Sequence, residues 1–270
     1  MTHRIFISSY RRDFQFLRPC LYSLTRFCRG FLAPVIAVPS QDMQLAREIC
    51  DQVCPDAIVT EQVKGPGSGM VRAMLSMLRA DLYSEADCHW LVGSDCLITR
   101  EMTPEAFCRD GKPIMLYNRF SDIGPSVEPW RISTNNILGI ECEFETMRRL
   151  PVIYPAEVLA GLRSYLTSRH NMPAEQYLGS FSGHCPWSES NLLGSYAKRF
   201  MPEPYAWMHC VPEDPAYVEY THVDSSQLVQ LWSHGGLDRP TDAINMMNGR
   251  SVHGMTPRQI IREVLGSDFI

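Results

Sequence analysis

The first hundred residues alternate short apolar runs with amphipathic stretches, and this alternation constrains the fold more than any other feature of the chain. Strand-like apolar runs cover 4–8, 33–38, 57–60 and 88–92. The stretches between them repeat their apolar residues with the spacing of a helical face. Strands that alternate with helices in this way indicate βαβ units. We therefore predict an α/β fold in which helices flank a mostly parallel central sheet.

The remaining chain is less regular. We predict a strand over 113–117, loops or short strands over 121–136, and helices over 143–149, 156–168 and 189–200. The last helix is well marked, because Thr256 is a typical N-cap, Pro257 suits the first helical position and Gly266 provides a stop. No linker is visible between the halves, so we predict one composite domain over residues 1–270.

Composition excludes several classes of protein. With 45% hydrophobic and 20% charged residues the chain is neither disordered nor fibrous. No apolar run approaches the ~20 residues of a membrane span, and the N-terminus has no signal-peptide pattern, so a cytoplasmic protein is expected. The net charge of −5 argues against a protein that coats nucleic acid, although the arginines between Arg11 and Arg29 leave a local basic groove open. Ten cysteines without a Cys-x-x-Cys pair predict reduced, mostly buried thiols rather than a zinc site.

The central candidate is the segment from Trp90 to Ile98, in which an apolar strand runs into Gly93-Ser94-Asp95 and back into apolar residues. Ligands of parallel sheets bind at the carboxyl ends of strands. A carboxylate there, beside a glycine, suits a hydrated divalent cation that bridges phosphates. A turn aspartate that bonds its own backbone is an alternative interpretation.

This segment resembles the Asp-x-Asp run of GT-A-type glycosyltransferases, whose carboxylates hold Mn²⁺ or Mg²⁺ against the diphosphate of a nucleotide sugar. More narrowly, the chain is similar over about residues 4–200 to a glycosyltransferase-like family of bacterial and phage proteins. The resemblance rests on the order of four segments, which are Ser9-Tyr10-Arg11-Arg12-Asp13, Met70-Val71-Arg72-Ala73-Met74, Gly93-Ser94-Asp95 and Pro186-Trp187-Ser188-Glu189. It implies a GT-A-like sheet, with about 1–120 for the nucleotide sugar and about 121–270 for the acceptor.

The chain departs from the family pattern at the metal site. Gly93 stands where the first aspartate is expected, which leaves Asp95 as the lone carboxylate, and the segment around Arg72 lacks the family's usual glutamine pair. The resemblance suggests His234, in a late strand-to-glycine turn, as a second metal ligand. An imidazole suits Mn²⁺ better than Mg²⁺. A loop histidine bonded to backbone and metal-independent activity both stay open.

The resemblance also assigns the donor and acceptor contacts. Tyr10 is expected to stack on the nucleotide base, Asp13 to bond the ribose or base, and the guanidinium groups to meet the diphosphate. The full set of predicted donor residues is Ser9, Tyr10, Arg12, Asp13, Arg72 and Ser94. The predicted acceptor residues are Trp130, Trp187 and Ser188.

Glu189 is the candidate catalytic base, with Asp95 as the second catalytic residue. Ser188 is expected to cap the helix that starts at Glu189, and an acidic side chain in a first turn is also explained by the helix dipole alone. In an inverting enzyme a carboxylate must deprotonate the acceptor hydroxyl. In a retaining enzyme Glu189 would orient a sugar instead.

The predicted function is therefore metal-assisted transfer of a sugar from a nucleoside-diphosphate sugar to a hydroxyl, either on a saccharide or on a hydroxylated base of phage DNA. A nucleotidyltransferase or sugar-nucleotide pyrophosphorylase is one alternative, but such enzymes normally carry a lysine-bearing glycine-rich loop after the first strand. Here that position holds Ser9-Tyr10-Arg11-Arg12. A non-catalytic nucleotide-sugar-binding module is the other alternative, and Gly93 favours it.

Overall fold

The computed structural model describes most of the chain, namely residues 1–147, 150–183, 185–211, 213, 217, 228–231, 236–239, 246–247, 250–252 and 254–269. Its strands are β1 His3–Ser8, β2 Leu32–Val38, β3 Ile58–Glu61, β4 Cys88–Leu91, β5 Cys96–Ile98, β6 Cys108–Arg109, β7 Lys112–Arg119, β8 Phe144–Glu145, β9 Val152–Pro155, β10 Ala206–His209, β11 Leu228–Gln230, β12 Met246–Met247 and β13 Arg250–Ser251. Its helices are α1 Phe14–Phe27, α2 Met43–Val53, α3 Gly69–Met77, α4 Ala80–Tyr83, α5 Phe120–Ile123, α6 Glu128–Leu138, α7 Ala156–His170, α8 Ala174–Gly179, α9 Glu189–Phe200 and α10 Pro257–Leu265.

The central sheet has the strand order β3-β2-β1-β4-β9. The first four of these strands are parallel to their neighbours, whereas β9 runs antiparallel to β4 and pairs Val152 with Leu91. The predicted α/β class with a mostly parallel central sheet is confirmed.

Both faces of this sheet are buried, as expected when helices cover the two sides of parallel strands. Successive residues of β1 point to opposite faces. Phe6 packs in a core with α3, α7 and α9, while Ile5 and Ile7 pack in a second core with α1 and α2. Because the strands are apolar on both faces, polar side chains collect where the strands end.

Two smaller sheets and a C-terminal segment complete the described structure. Strands β10, β7 and β6 form one sheet with β8 beside β7, and β11 pairs antiparallel with β5. A third core joins Phe16 of α1 to Leu231 and to Ile260 of α10. The predicted cap is confirmed, since Thr256 and Gln259 form a reciprocal capping box at the start of α10.

Two local predictions are wrong. The polar stretch 121–136 contains α5 and α6 rather than loops or strands, because α6 needs only a narrow buried stripe of Thr134, Ile137 and Leu138. The segment 143–149 contributes the short strand β8 rather than a helix, because its backbone pairs with β7.

The cysteine prediction is confirmed: all ten are free thiols, and six of them are buried. No helix within the described ranges is long and apolar enough to cross a membrane.

The ion pair between Arg163 of α7 and Asp81 of α4 should be a strong tertiary link. Its two hydrogen bonds measure 2.6 and 2.7 Å, and the side chains are only 13% and 10% exposed. Asp81→Asn leaves the buried charge of Arg163 without a partner. We therefore expect it to lower the free energy of unfolding by about 3 kcal/mol. Urea titration checks this, with Lys64→Met as the control, since the Lys64 side chain is 79% exposed in its ion pair with Glu61. Equal midpoints for the two variants would contradict the prediction.

Candidate functional site

The loops that follow β1, β2, β3 and β4 meet at one edge of the sheet, because the carboxyl ends of parallel strands lie together. Hydrogen bonds tie these loops to each other. Gln62 after β3 donates through Nε2 to Ser8 Oγ at 2.9 Å and to the Ser9 carbonyl at 3.0 Å. Asp42 after β2 accepts the Arg11 backbone N–H at 3.1 Å. The loop after β1 is therefore held from two sides.

Asp95 follows β4 at this edge and is half-buried. Its Oδ2 accepts a hydrogen bond from Gln230 Nε2 at 3.2 Å, and its backbone carbonyl accepts the Leu231 N–H at 2.7 Å. Two buried thiols lie beside it, since Cys96 Sγ is 4.0 Å from Asp95 Oδ1 and Cys20 Sγ is 3.8 Å from the Gly93 carbonyl. Strand β11 thus fixes the orientation of the carboxylate.

Burial raises the pKa of Asp95, and the hydrogen bond from Gln230 opposes that rise. Burial also raises the pKa of Asp13, and the nearby charge of Asp95 raises it further. Asp13 therefore lies close enough to Asp95 to feel its charge, and either carboxylate could hold a cation.

Tyr10 and Asp13 lie near Asp95, and Arg12 lies near both of them. The Tyr10 hydroxyl hydrogen-bonds the Asp13 carboxylate; burial raises the pKa of both groups, and the nearby Arg12 charge opposes that rise. Tyr10 is 43% exposed and Arg12 is exposed. An accessible ring, a guanidinium and a carboxylate therefore stand at the mouth of the Asp95 loop.

Gly93 has a packing reason. A Cβ at this position would meet Asp95 Oδ1 and would come within 3.4 Å of Cys96 Sγ. An aspartate at 93 is thus incompatible with Asp95 as it is held by Gln230. The contact between Gln230 and Asp95 therefore requires a residue without a side chain at position 93, where the family has its first carboxylate.

Glu189 opens α9, and Ser188 caps this helix by accepting the Asn191 N–H at 3.2 Å, as predicted. The first turn lies against β9, because Tyr154 donates to the Ser190 carbonyl at 3.3 Å. Burial raises the pKa of Glu189, Tyr154 and Cys185, and the nearby charge of Glu189 raises the pKa of the latter two further. Since β9 is the neighbour of β4, Glu189 lies on the β4 side of the sheet.

The other predicted donor residues differ in how open they are. Ser9 and Ser94 are 1% and 6% exposed, and Ser9 Oγ is a buried hydroxyl without a hydrogen-bond partner in the described structure. Arg72 lies in the first turn of α3, where Nη1 donates to the Gly67 carbonyl at 2.9 Å. That bond holds the glycine-rich loop before α3, so only the rest of the Arg72 guanidinium is left for phosphate.

The predicted acceptor contacts need correction at Trp187 and Ser188. Trp187 is 0% exposed and donates to the Leu178 carbonyl at 3.2 Å, so its ring is core and presents no sugar platform. Ser188 is 3% exposed and serves as the helix cap. Trp130 on α6 packs against the core while partly exposed. Of these three residues, Trp130 alone retains accessible ring surface.

The carboxylates at this edge of the sheet could hold a cation whose other ligands are water and phosphate. Asp95 and Asp13 supply two carboxylates, which is what Mg²⁺-type sites commonly take from protein. The residues that the structure describes contain no group of three or more histidine, cysteine or acidic side chains suited to a metal. The predicted ligand His234 lies outside the described residues.

Three of the arginines between Arg11 and Arg29 do not assemble the local basic groove that the sequence left open. The Arg18 guanidinium lies 5.8 Å from the Phe269 ring, and Arg26 donates to the Leu265 carbonyl at 3.3 Å. Arg29 donates to three backbone carbonyls of its own helix end. These side chains stabilise the chain's own helix ends and its C-terminal segment, so they give no support to a DNA acceptor.

Two site residues escaped the sequence analysis, Gln230 and Gln62. Neither belongs to a motif, and each acts through a contact with a distant segment, 135 positions away for the Gln230 bond to Asp95. The strand-like run of 228–231 was the one signal for Gln230, but nothing in it indicates pairing with β5.

The sequence matches no family model and no curated protein. Among solved structures, the apo form of mouse xyloside xylosyltransferase 1 is similar to this chain. The TM-score is 0.45 and the identity 10%, with 82% of this chain and 93% of that chain covered. This likeness assigns the chain to no family.

The raised pKa of Asp95 predicts a stability gain on its removal. Between the ordinary value of 3.8 and the raised folded value, the folded state binds more protons than the unfolded state. Stability therefore falls as pH rises through that window, and the carboxylate destabilises the fold at pH 7. We expect Asp95→Asn to raise the free energy of unfolding at pH 7 by about 0.5–2 kcal/mol.

Thermal melts at pH 7 and pH 4 measure this effect, and the gain should shrink at the lower pH. Asp238→Asn is the control, because Arg258 lowers the pKa of Asp238 and its loss brings no gain. An Asp95→Asn protein that melts below wild type at pH 7 would refute the assignment of a destabilising buried charge.

Proposed function

We propose that the protein is a glycosyltransferase of GT-A-like architecture that takes a nucleoside-diphosphate sugar as donor and a hydroxyl group as acceptor. The observation that carries the proposal is the carboxylate of Asp95, held by Gln230 at the carboxyl end of a central parallel strand beside Tyr10, Arg12 and Asp13. In this proposal residues of about 1–120 bind the donor and residues of about 121–270 bind the acceptor.

The donor would lie across the loops that end β1 and β4. Tyr10 would stack on the base, and Asp13 would accept a hydrogen bond from a ribose hydroxyl. Arg12 would pair with the diphosphate, because guanidinium groups match phosphate oxygens. Asp95 and Asp13 would hold Mn²⁺ or Mg²⁺. When bound, such a cation neutralises charge on the leaving nucleoside diphosphate.

Glu189 would act on the acceptor. A carboxyl group whose pKa is raised by burial is better matched to proton transfer near neutral pH than an ordinary glutamate. In an inverting reaction Glu189 would accept the proton of the acceptor hydroxyl as that oxygen attacks the anomeric carbon. Trp130, with its partly exposed ring, would contribute to acceptor binding, and a saccharide is the acceptor class we favour.

The first test is a thermal-shift screen of nucleoside diphosphates with and without Mn²⁺. We expect at least one of UDP, GDP or TDP to raise the melting temperature, and Mn²⁺ to enlarge the shift, because bound ligand stabilises the folded state by mass action. Arg12→Ala should reduce the shift, while Arg29→Ala, which removes an arginine bonded only to backbone carbonyls, should not. No shift with any nucleotide would refute the donor site.

The second test is Glu189→Gln in a donor-plus-acceptor assay. Loss of a general base predicts a fall in kcat of about 10²–10⁴-fold, with donor binding unchanged. The acid limb of the wild-type pH profile should lie above the range of an ordinary glutamate, since turnover requires the deprotonated group. Release of pyrophosphate would identify a nucleotidyltransferase instead. Tight donor binding without any turnover would identify a binding module.

A further inference from the structure

Lys198 on α9 is one of only three lysines in the chain, with Lys64 and Lys112. Its ammonium lies over three aromatic faces, 4.3 Å from the ring centre of Trp207, 4.4 Å from that of Tyr117 and 5.4 Å from that of Phe144. These rings stand on the neighbouring strands β10, β7 and β8. The three rings therefore stand on paired strands of one sheet.

The aromatic faces stabilise the charge of Lys198 but offer its N–H donors no oxygen acceptor. Ring faces attract a cation through their quadrupole, whereas an ammonium carries three N–H donors that need oxygen acceptors. No ion pair or hydrogen bond of Lys198 is found with any residue that the structure describes. Burial lowers the pKa of Lys198, as expected for a partly buried ammonium without an ion pair among the described residues.

Lys198 also lines a cavity of about 590 Å³. That volume lies within the usual ~300–1,000 Å³ of small-molecule sites. Its wall is formed by the segment 140–144 and by Ser195, Lys198 and Arg199 of α9. Two exposed carboxylates, those of Glu141 and Glu143, share the cavity with the two cations.

This mixture of groups selects the ligand. Lys198 and Arg199 call for one anionic group, while Glu141 and Glu143 repel a second negative charge and accept hydrogen bonds from hydroxyls. The Phe144 side chain supplies an apolar surface in the same cavity. We propose that this cavity is a binding site for an acidic saccharide unit, a sugar ring that carries a single carboxylate and places it on Lys198. The site does not depend on the transferase activity proposed above.

The test is calorimetric titration of the full chain with D-glucuronate, D-glucose and inorganic phosphate as probes. We expect glucuronate to bind at least about tenfold more tightly than glucose, because a charge-assisted hydrogen bond is lost with the carboxylate. Lys198→Met keeps the stem that packs on the rings and should weaken glucuronate binding by a similar factor. Lys64→Met and Lys112→Met are the matched controls and should leave it unchanged.

Three results would overturn the proposal. They are equal binding of glucose and glucuronate, unchanged glucuronate binding by Lys198→Met, and tighter binding of phosphate than of glucuronate, which would identify a simple anion site.

The wild-type protein provides a second measurement in case Lys198→Met does not fold. With ¹³C at the lysine Cε positions the spectrum has three lysine signals, and the rings around Lys198 should shift its signal away from the other two. Glucuronate should move the Lys198 signal and raise the pKa of Lys198, while glucose leaves both unchanged. A glucuronate titration that moves only the signals of Lys64 or Lys112 would overturn the proposal.

Discussion

The parallel alignment of β3, β2, β1 and β4 is the constraint on which the rest of the structure depends. The apolar residues at the centre of β1, β2 and β4 are buried on both faces, so these strands expose few polar groups along their length. Their carboxyl ends, by contrast, bring four loops to one edge. The same geometry that hides Phe6 and Ile7 thus collects Tyr10, Asp13 and Asp95 in one place.

Asp95 is costly to keep and is kept by specific contacts. A half-buried carboxylate beside two thiols is unfavourable when charged, and Gln230 compensates only in part. Local choices that oppose stability are expected where a protein acts on a ligand. Gly93 belongs to the same compromise, since any side chain there would displace the carboxylate that Gln230 holds.

Elements with a strong local signal could be predicted from the sequence, and elements defined by distant contacts could not. Helix α9 begins and ends where periodicity and the Ser188 cap indicated. Helix α6 was missed because its exposed face is polar, and β8 was mistaken for a helix because pairing with β7 decides its state. Within the site, residues next to strand ends were predictable. Gln230 was not, and the ring of Trp187, a candidate acceptor contact, is buried in the core.

The contact between Gln230 and Asp95 has a consequence for how the chain matures. The two residues are 135 positions apart, which corresponds to roughly 7–27 s of ribosomal synthesis at ~5–20 residues per second. During that interval β1 to β4 are already available to collapse, while the acid at their edge still lacks its amide partner. The four parallel strands can therefore pair before Gln230 is synthesised. The Asp95 carboxylate is oriented only when β11 has been added.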